Sequence, residues 1–237
     1  MPNVLVVTAH PGDFVWRAGG AIALHAKAGH KVHIVCLAFG ERGESQGAWA
    51  RPAATLETVK AGRKDEAEAA AAILGASIEF YDAGDYPLVT TPAMLDRLVD
   101  TYRALRPEFV LTHAMADPYN LDHPAANQFA QAARIVAQAA GHKPGPDAVY
   151  RAPQVYMFEP HQTEMCGFRP DVILNIDAVW ETKRRAFECL PAQTHLWGYY
   201  ERVAMNRGQQ GGRNAGIKMN YGEAYQRVFP EVLQELR

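Results

Sequence analysis

The sequence contains little cysteine. Only three of its 237 residues are cysteines, Cys36, Cys166 and Cys189, and no two of them form a CxxC pair. An odd, widely spaced set excludes a disulfide scaffold and a zinc knuckle built from thiolates. Such sparse cysteine usage is typical of a reducing compartment, so we expect a cytoplasmic protein.

The sequence also lacks a long apolar run and an excess of either charge. No apolar segment approaches the roughly 20 residues that span a bilayer. The first apolar run has no basic region before it, so it predicts a strand and not a signal peptide. Lys and Arg number 24 against 26 Asp and Glu, and this balance gives no electrostatic footprint for nucleic acid or a membrane surface. We therefore expect neither as a partner.

Strands and helices alternate over the first 140 residues. The apolar runs 3–8 and 31–38 predict buried strands, and the helical segment between them makes a parallel βαβ unit. Further strands are predicted over 77–81, 108–113, 154–158 and 172–176, and further helices over 55–74, 92–105, 123–140 and 181–189. The pattern indicates an α/β fold with a Rossmann-like, open, mostly parallel sheet and helices on both faces.

The C-terminal part of the chain shows no such alternation. We expect a single domain, 1–237, with an α/β core over 1–190 and a C-terminal extension over 191–237 that ends in an irregular tail. Glycines in the segment GQQGGRNAG, residues 208–216, favour flexibility. This segment could be a lid or an arm that reaches a neighbouring subunit.

Three predicted strands are followed by loops rich in polar residues. The first loop holds His10 and Asp13, the second is GERGES at 40–45, and the third runs from His113 to His123. These loops should meet, because ligands of open α/β sheets bind at the carboxyl ends of the strands. His10, Asp13 and one more histidine could hold a catalytic zinc with an open position, or non-haem iron or manganese.

The residues alone leave another interpretation open. His10 could simply end a strand, and Asp13 could cap the helix that follows. Spacing does not decide between this role and metal binding. His113 competes as the third ligand, although a histidine that ends a strand is more often a packed core residue.

The loops resemble two motifs of the PIG-L, or LmbE-like, family of zinc-dependent de-N-acetylases. AHPGD at 9–13 is similar to the family's AHPDDE motif, and NLDH at 120–123 is similar to its HPDH-like run. The resemblance covers most of the chain. It implies one zinc ion per subunit with three ligands: His10, Asp13 and His123.

The chain departs from the family pattern at the hydrolytic residues. The first Asp of AHPDDE, which activates water, is Gly12 here, and the final Glu is Phe14. The first His of HPDH, which helps stabilise the oxyanion, is Asn120. Such groups each contribute orders of magnitude to hydrolysis. The metal ligands without the hydrolytic groups imply a site that either is inactive or catalyses a different reaction.

Longer segments resemble one branch of the family, the 4-oxalomesaconate (4-carboxy-2-hydroxymuconate) hydratases. These segments are DFVWRAGGAIALHA, CLAFGERGES, EFYDAGDYPL and FEPHQTE. The resemblance implies a homo-oligomeric lyase of gallate and protocatechuate 4,5-cleavage that adds water to a small tricarboxylate, giving 4-carboxy-4-hydroxy-2-oxoadipate. The alternatives are a zinc-dependent de-N-acetylase of an N-acetylated amino sugar and a binding protein that only retains the metal.

Hydration needs a base for water and an acid for the carbon that gains a proton. We expect Glu44 as the base and His161 as the acid, with Glu41 and Glu164 as alternative bases. The non-catalytic interpretations are a solvated loop carboxylate and a hydrogen-bonded loop histidine. Three substrate carboxylates also need polar partners. The candidates are Arg17, Arg42, Arg213 and Asn120, with Arg51 as a weaker one. Aromatic candidates for the cavity wall are Trp16, Trp49, Tyr86 and Tyr119.

Overall fold

A computed structural model describes residues 2–143 and 149–235 of the chain. The strands within these ranges are β1 Asn3–Thr8, β2 Lys31–Cys36, β3 Ser77–Phe80, β4 Phe109–Thr112, β5 Gln154–Phe158, β6 Val172–Asn175 and β7 Gly222–Arg227. The α-helices are α1 Asp13–Lys27, α2 Gln46–Trp49, α3 Leu56–Leu74, α4 Pro92–Leu105, α5 Asp122–Val136, α6 Trp180–Glu188 and α7 Trp197–Ala215. Short 3-10 stretches cover 177–179 and 191–196.

The strands form one mixed sheet in the order β3-β2-β1-β4-β5-β7-β6. The first five are parallel, and β7 is antiparallel to both β5 and β6. The chain proceeds outward from β1 to β3 in one direction, and from β4 to β5 in the other. A crevice therefore opens beyond the carboxyl ends of β1 and β4, where the strand order reverses.

Helices cover both faces of the sheet, as the sequence predicts. Alternate residues of β1 face opposite sides: Val4 and Val6 pack in the cluster that holds Ile22 of α1, and Leu5 and Val7 pack with α4 and α5. The α/β architecture with a largely parallel sheet is thus confirmed. Within the described residues, no helix is both long and apolar enough to cross a bilayer.

The two ends of helix α3 are determined by the local residues that the sequence indicates. The Thr55 side chain accepts a hydrogen bond from the backbone N–H of Thr58, which caps the first turn. Gly75 ends the helix with φ of 79°, a left-handed conformation that favours glycine. The predicted bounds of 55–74 therefore agree with Leu56–Leu74. Helix α5 ends earlier than predicted, at Val136.

Most of the C-terminal extension is regular, and the irregular tail is confined to its end, where the described residues 228–235 form no helix or strand. Residues 197–215 form α7, which contains most of the glycine-rich segment, and β7 lies between β5 and β6 in the sheet. The glycines serve close packing and not flexibility. A Cβ at Gly208 would lie 2.2 Å from the backbone oxygen of Asn220, and one at Gly212 would lie 2.8 Å from that of Ile217. The chain leaving α7 can therefore fold back directly against the helix.

Candidate active site

A cavity of about 440 Å³ lies at the carboxyl ends of the parallel strands. The loops after β1, β2, β4 and β5 all contribute to its wall, as expected for the point at which the strand order reverses. Most of the predicted site residues line it: His10, Asp13, Arg17, Glu44, Asn120, His123 and His161.

Three of these side chains form a buried cluster. His10 follows β1, Asp13 lies in the first turn of α1, and His123 lies in the first turn of α5. One ligand atom from each lies within 4.8 Å of the other two. The Asp13 carboxylate sits between the rings, with Oδ2 at 3.2 Å from His10 Nδ1 and Oδ1 at 3.5 Å from His123 Nε2. The fold thus brings together the residues that the family resemblance singled out.

Two further carboxylates hold the outer ring nitrogens. Asp122 Oδ2 lies 3.1 Å from His10 Nε2, and Asp117 Oδ2 lies 2.8 Å from His123 Nδ1. An ionised carboxylate can only accept, so each imidazole donates outward and turns its other nitrogen towards Asp13. This arrangement is the usual support for histidines that bind a metal.

His113 has a different environment. Its Nε2 accepts a hydrogen bond of 2.9 Å from the backbone N–H of Ala9, and its ring stacks on His123 at 4.2 Å. Burial, together with the neighbouring His123, lowers the pKa of its imidazole well below the ordinary value. His113 is therefore packed as a neutral core residue, which is the role that its position at a strand end favours.

The cluster fits a divalent cation. Nε2 of His123 is buried and has no hydrogen-bond partner among the residues that the structure describes, an arrangement that is costly unless another ligand is supplied. Burial alone would lower the pKa of His10, but the hydrogen bonds to Asp122 and Asp13 outweigh it and raise the pKa to about 10. Two imidazole nitrogens and a carboxylate amid this negative charge match the donor set of catalytic zinc sites.

Glu44 is held by three side chains and is not a freely solvated loop carboxylate. Its Oε1 accepts hydrogen bonds of 2.8 Å from the Tyr86 hydroxyl and 2.8 Å from Asn120 Nδ2, and its Oε2 accepts one of 3.2 Å from Gln193 Nε2. Burial and the Glu44 charge raise the pKa of Tyr86, so the phenol remains a donor. These contacts fix the direction in which Glu44 faces the cavity.

His161 and Arg17 line the cavity near Glu44. The His161 ring stacks on Tyr199 at 4.1 Å, and burial followed by the Arg17 charge lowers its pKa from 6.5. Arg17 is 7% exposed, with Nε at 3.5 Å from Asp13 Oδ1 and Nη1 donating to the backbone oxygen of Glu159. A buried guanidinium in this place can bind an anionic substrate group.

Arg42 and Arg213 do not line the cavity, and their part in substrate binding stays a prediction. Arg42 donates through Nη1 and its backbone N–H to Asp85, and thereby braces the loop that carries Glu44. Arg213 is exposed in the last turn of α7. Asn120 does line the cavity, but its amide donates to Glu44 and to the Tyr86 hydroxyl.

The alternative bases and one of the aromatic candidates do not line the cavity. Glu41 is buried and accepts from the backbone N–H of Phe39, and neither it nor Glu164 lines the cavity. Trp49 is outside as well, since its indole N–H donates to the backbone oxygen of Glu41. The aromatic residues that do form part of the wall are Trp16, Tyr86, Tyr119 and Tyr200.

Several site residues were missed from the sequence. Asp122 begins α5, and its carboxylate accepts hydrogen bonds from His10 and from the backbone N–H groups of Tyr86 and Leu88. Asp117 could have been identified from the sequence, because it lies in the polar loop that runs from His113 to His123. No feature of the sequence points to Gln193, which lies in the 3-10 stretch 191–196, in the part of the chain predicted to be an extension.

The PIG-L family model, described as GlcNAc-PI de-N-acetylase, matches residues 5–134. The chain belongs to the PIG-L family. This membership confirms the resemblance seen at the AHPGD and NLDH segments. The family model spans the strands and helices that supply His10, Asp13 and His123.

Relatives within the family include hydratases. A 4-oxalmesaconate hydratase of Pseudomonas putida KT2440 is 55% identical over an alignment of 238 positions, which covers 99% of this chain and 92% of that protein. The crystal structure of GalB, the 4-carboxy-2-hydroxymuconate hydratase from Pseudomonas putida KT2440, matches with a TM-score of 0.97 and 54% identity over 100% of both chains. An N,N′-diacetylchitobiose deacetylase from Pyrococcus horikoshii shares the fold, with a TM-score of 0.78 and 22% identity over 95% of this chain and 83% of the other.

Proposed function

We propose that this protein is a metal-dependent hydratase. It adds water to a carbon–carbon double bond of 4-oxalomesaconate (4-carboxy-2-hydroxymuconate) to give 4-carboxy-4-hydroxy-2-oxoadipate, a step of gallate and protocatechuate 4,5-cleavage. The proposal is carried by one observation: the cavity retains His10, Asp13 and His123 while residue 12 is a glycine. Identity of 55% to the 4-oxalmesaconate hydratase sequence and of 54% to the GalB structure, over essentially the whole chain, supports it.

The surroundings of Gly12 favour hydration over de-N-acetylation. A Cβ built at Gly12 would lie 2.5 Å from Oε1 of Gln193 and 2.5 Å from Nε1 of Trp16. Both neighbours are buried. The space that the water-activating Asp of a de-N-acetylase would need is therefore filled, and no side chain fits there unless Gln193 or Trp16 moves.

The proposed ligands are His10, Asp13 and His123, and the proposed ion is zinc. When bound, the ion would supply Lewis-acid polarisation of an enol or oxo oxygen beside a substrate carboxylate. Three protein ligands leave a coordination position for substrate. Asp122 and Asp117 keep the two imidazoles in the required orientation through their outer nitrogens.

Glu44 and His161 complete the reaction as base and acid. Glu44 takes one proton from the water that attacks the double bond, and Tyr86, Asn120 and Gln193 hold it for this step. His161 gives a proton to the carbon at the other end of that bond. The low pKa of His161 belongs to the protein without substrate, and the negative charge of a bound tricarboxylate opposes it.

Arg17 is the proposed partner of a substrate carboxylate. It is the one arginine that lines the cavity within the described ranges, and its Nε has no hydrogen-bond partner there. A guanidinium can bind a carboxylate with two parallel hydrogen bonds. We also propose a cytoplasmic homo-oligomer, on the basis of the resemblance to the hydratase branch.

A pair of assays distinguishes the proposed reaction from de-N-acetylation. The purified protein is incubated with the conjugated tricarboxylate while its absorbance is followed, and separately with N,N′-diacetylchitobiose while acetate is measured. We expect loss of absorbance that a chelator abolishes, and no acetate. Release of acetate without any loss of absorbance would contradict the proposal and restore the de-N-acetylase alternative.

A further inference from the structure

Gln193 connects the Glu44 loop to helix α3. The residue is 4% exposed and lies at a kink inside the 3-10 stretch, with φ of −131° and ψ of 35°. Its Nε2 donates to Glu44 Oε2 at 3.2 Å, and its Oε1 accepts from Arg63 Nη2 at 2.8 Å. The backbone N–H of neighbouring Ala192 donates to Glu66 on α3 at 3.3 Å. The stretch is thus tied to α3 at two points.

The direction of the Gln193 amide follows from its two partners. A guanidinium has only donors, so the amide oxygen must face Arg63. The NH₂ group must then face Glu44, whose ionised carboxylate has only acceptors. Arg63 cannot turn away easily, because it is 1% exposed and forms an ion pair with Glu66 through Nη1. Arg63 on α3 therefore determines the orientation of the Gln193 amide.

We propose that Gln193 is a positioning residue for Glu44. It holds Oε2 of the carboxylate, while Tyr86 and Asn120 hold Oε1, so that Glu44 cannot rotate away from the attacking water. This inference rests on the proposed function, in which Glu44 is the base. Small displacements of a catalytic group can cost up to about 100-fold in rate. Loss of one of three holding contacts should lower kcat by about 10-fold or more.

Two substitutions at position 193 test the proposal. Gln193→Met keeps the length of the side chain and removes the donor to Glu44. Gln193→Glu keeps the length and the contact with Arg63, which favours folding, but turns a carboxylate towards Glu44. Both should lower kcat, Gln193→Glu more strongly, while KM stays within about twofold and bound metal is unchanged. Gln154→Met, at the start of β5, is a matched control whose half-buried amide is remote from the cavity.

A double-mutant cycle with Glu44→Ala separates this inference from the proposed function. If Gln193 acts through Glu44, Gln193→Met should lower kcat in the native background and have no further effect in Glu44→Ala. Equal effects in both backgrounds, or a raised KM with unchanged kcat, would overturn the positioning role. Native kcat in Glu44→Ala itself would instead show that Glu44 is not the base and overturn the proposed mechanism.

Discussion

Substitution of Gly12 by alanine would test the packing around the cavity most sharply. The backbone at Gly12 has φ of −81° and ψ of −28°, a conformation that any residue adopts. Backbone strain therefore does not oppose alanine at this position, which is the N-cap of α1. The added methyl group, however, would lie 2.5 Å from both Gln193 Oε1 and Trp16 Nε1. Both contacts are about 1 Å too short for ordinary van der Waals packing.

The cost depends on which neighbour moves. Trp16 stacks on Tyr200 at 5.5 Å and meets the edge of Phe187 at 4.8 Å, so the tryptophan is confined. Gln193 must then shift and weaken its hydrogen bond to Glu44. Overpacking of this kind costs about 1–3 kcal/mol. We expect Gly12→Ala to lower the free energy of unfolding by about 1–2 kcal/mol and to lower kcat. Gly12→Asp should be worse, because it adds a charge as well.

Urea unfolding and steady-state kinetics provide the measurement, with Gly62→Ala as the matched control. Gly62 lies inside α3, and a Cβ there would meet no atom within 4 Å. Its replacement should raise the free energy of unfolding by about 0.5–1 kcal/mol and leave kcat unchanged. If Gly12→Ala were as stable as Gly62→Ala and fully active, the argument that Gln193 and Trp16 fill this space would be refuted.

Further predictions concern the metal, the substrate and pH. Asp13→Ala should remove bound metal, measured by elemental analysis, together with activity, and full activity without metal would contradict the ligand assignment. Arg17→Met should raise KM about 10-fold or more with a smaller change in kcat, because a carboxylate clamp binds the ground and transition states alike; a loss confined to kcat would count against it. His161 must be protonated to act, so kcat/KM should fall as pH rises through its pKa, which lies below 6.5 in the free protein. The pH profile of kcat should fall at a higher pH than that of kcat/KM, because bound substrate carboxylates favour the charged ring of His161. If both profiles fell at the same pH, this role of His161 would be refuted. The charged groups that act on this ring are Arg17, Asp117, Glu44 and His123.

The parallel part of the fold could be predicted from local pattern. Runs such as 3–8 are apolar on both faces, and α3 carries both a Thr55 cap and a Gly75 terminator. The C-terminal part could not, because its glycines are determined by tertiary contacts. Gly208 and Gly212 look like flexible positions in sequence, but each allows the chain after α7 to approach the helix closely.

The site was predictable to a similar, limited extent. Motif resemblance located His10, Asp13 and His123 because these residues lie in short segments next to strands. The role of Gln193 depends on a contact with Arg63 across 130 positions of sequence, which no local pattern encodes. The place of Arg42 has a similar cause: its position in a polar loop suggests substrate binding, whereas a contact with Asp85, more than 40 positions later, holds it outside the cavity.

The central claim is that the His10–Asp13–His123 cluster binds one ion that is required for hydration. The direct measurement is a metal titration of chelator-treated protein, with loss of the conjugated tricarboxylate followed by absorbance. We predict no hydration before addition, recovery that saturates at one equivalent of zinc per subunit, and no recovery in Asp13→Ala. Full hydration by the metal-free protein, or equal recovery in Asp13→Ala, would contradict the account.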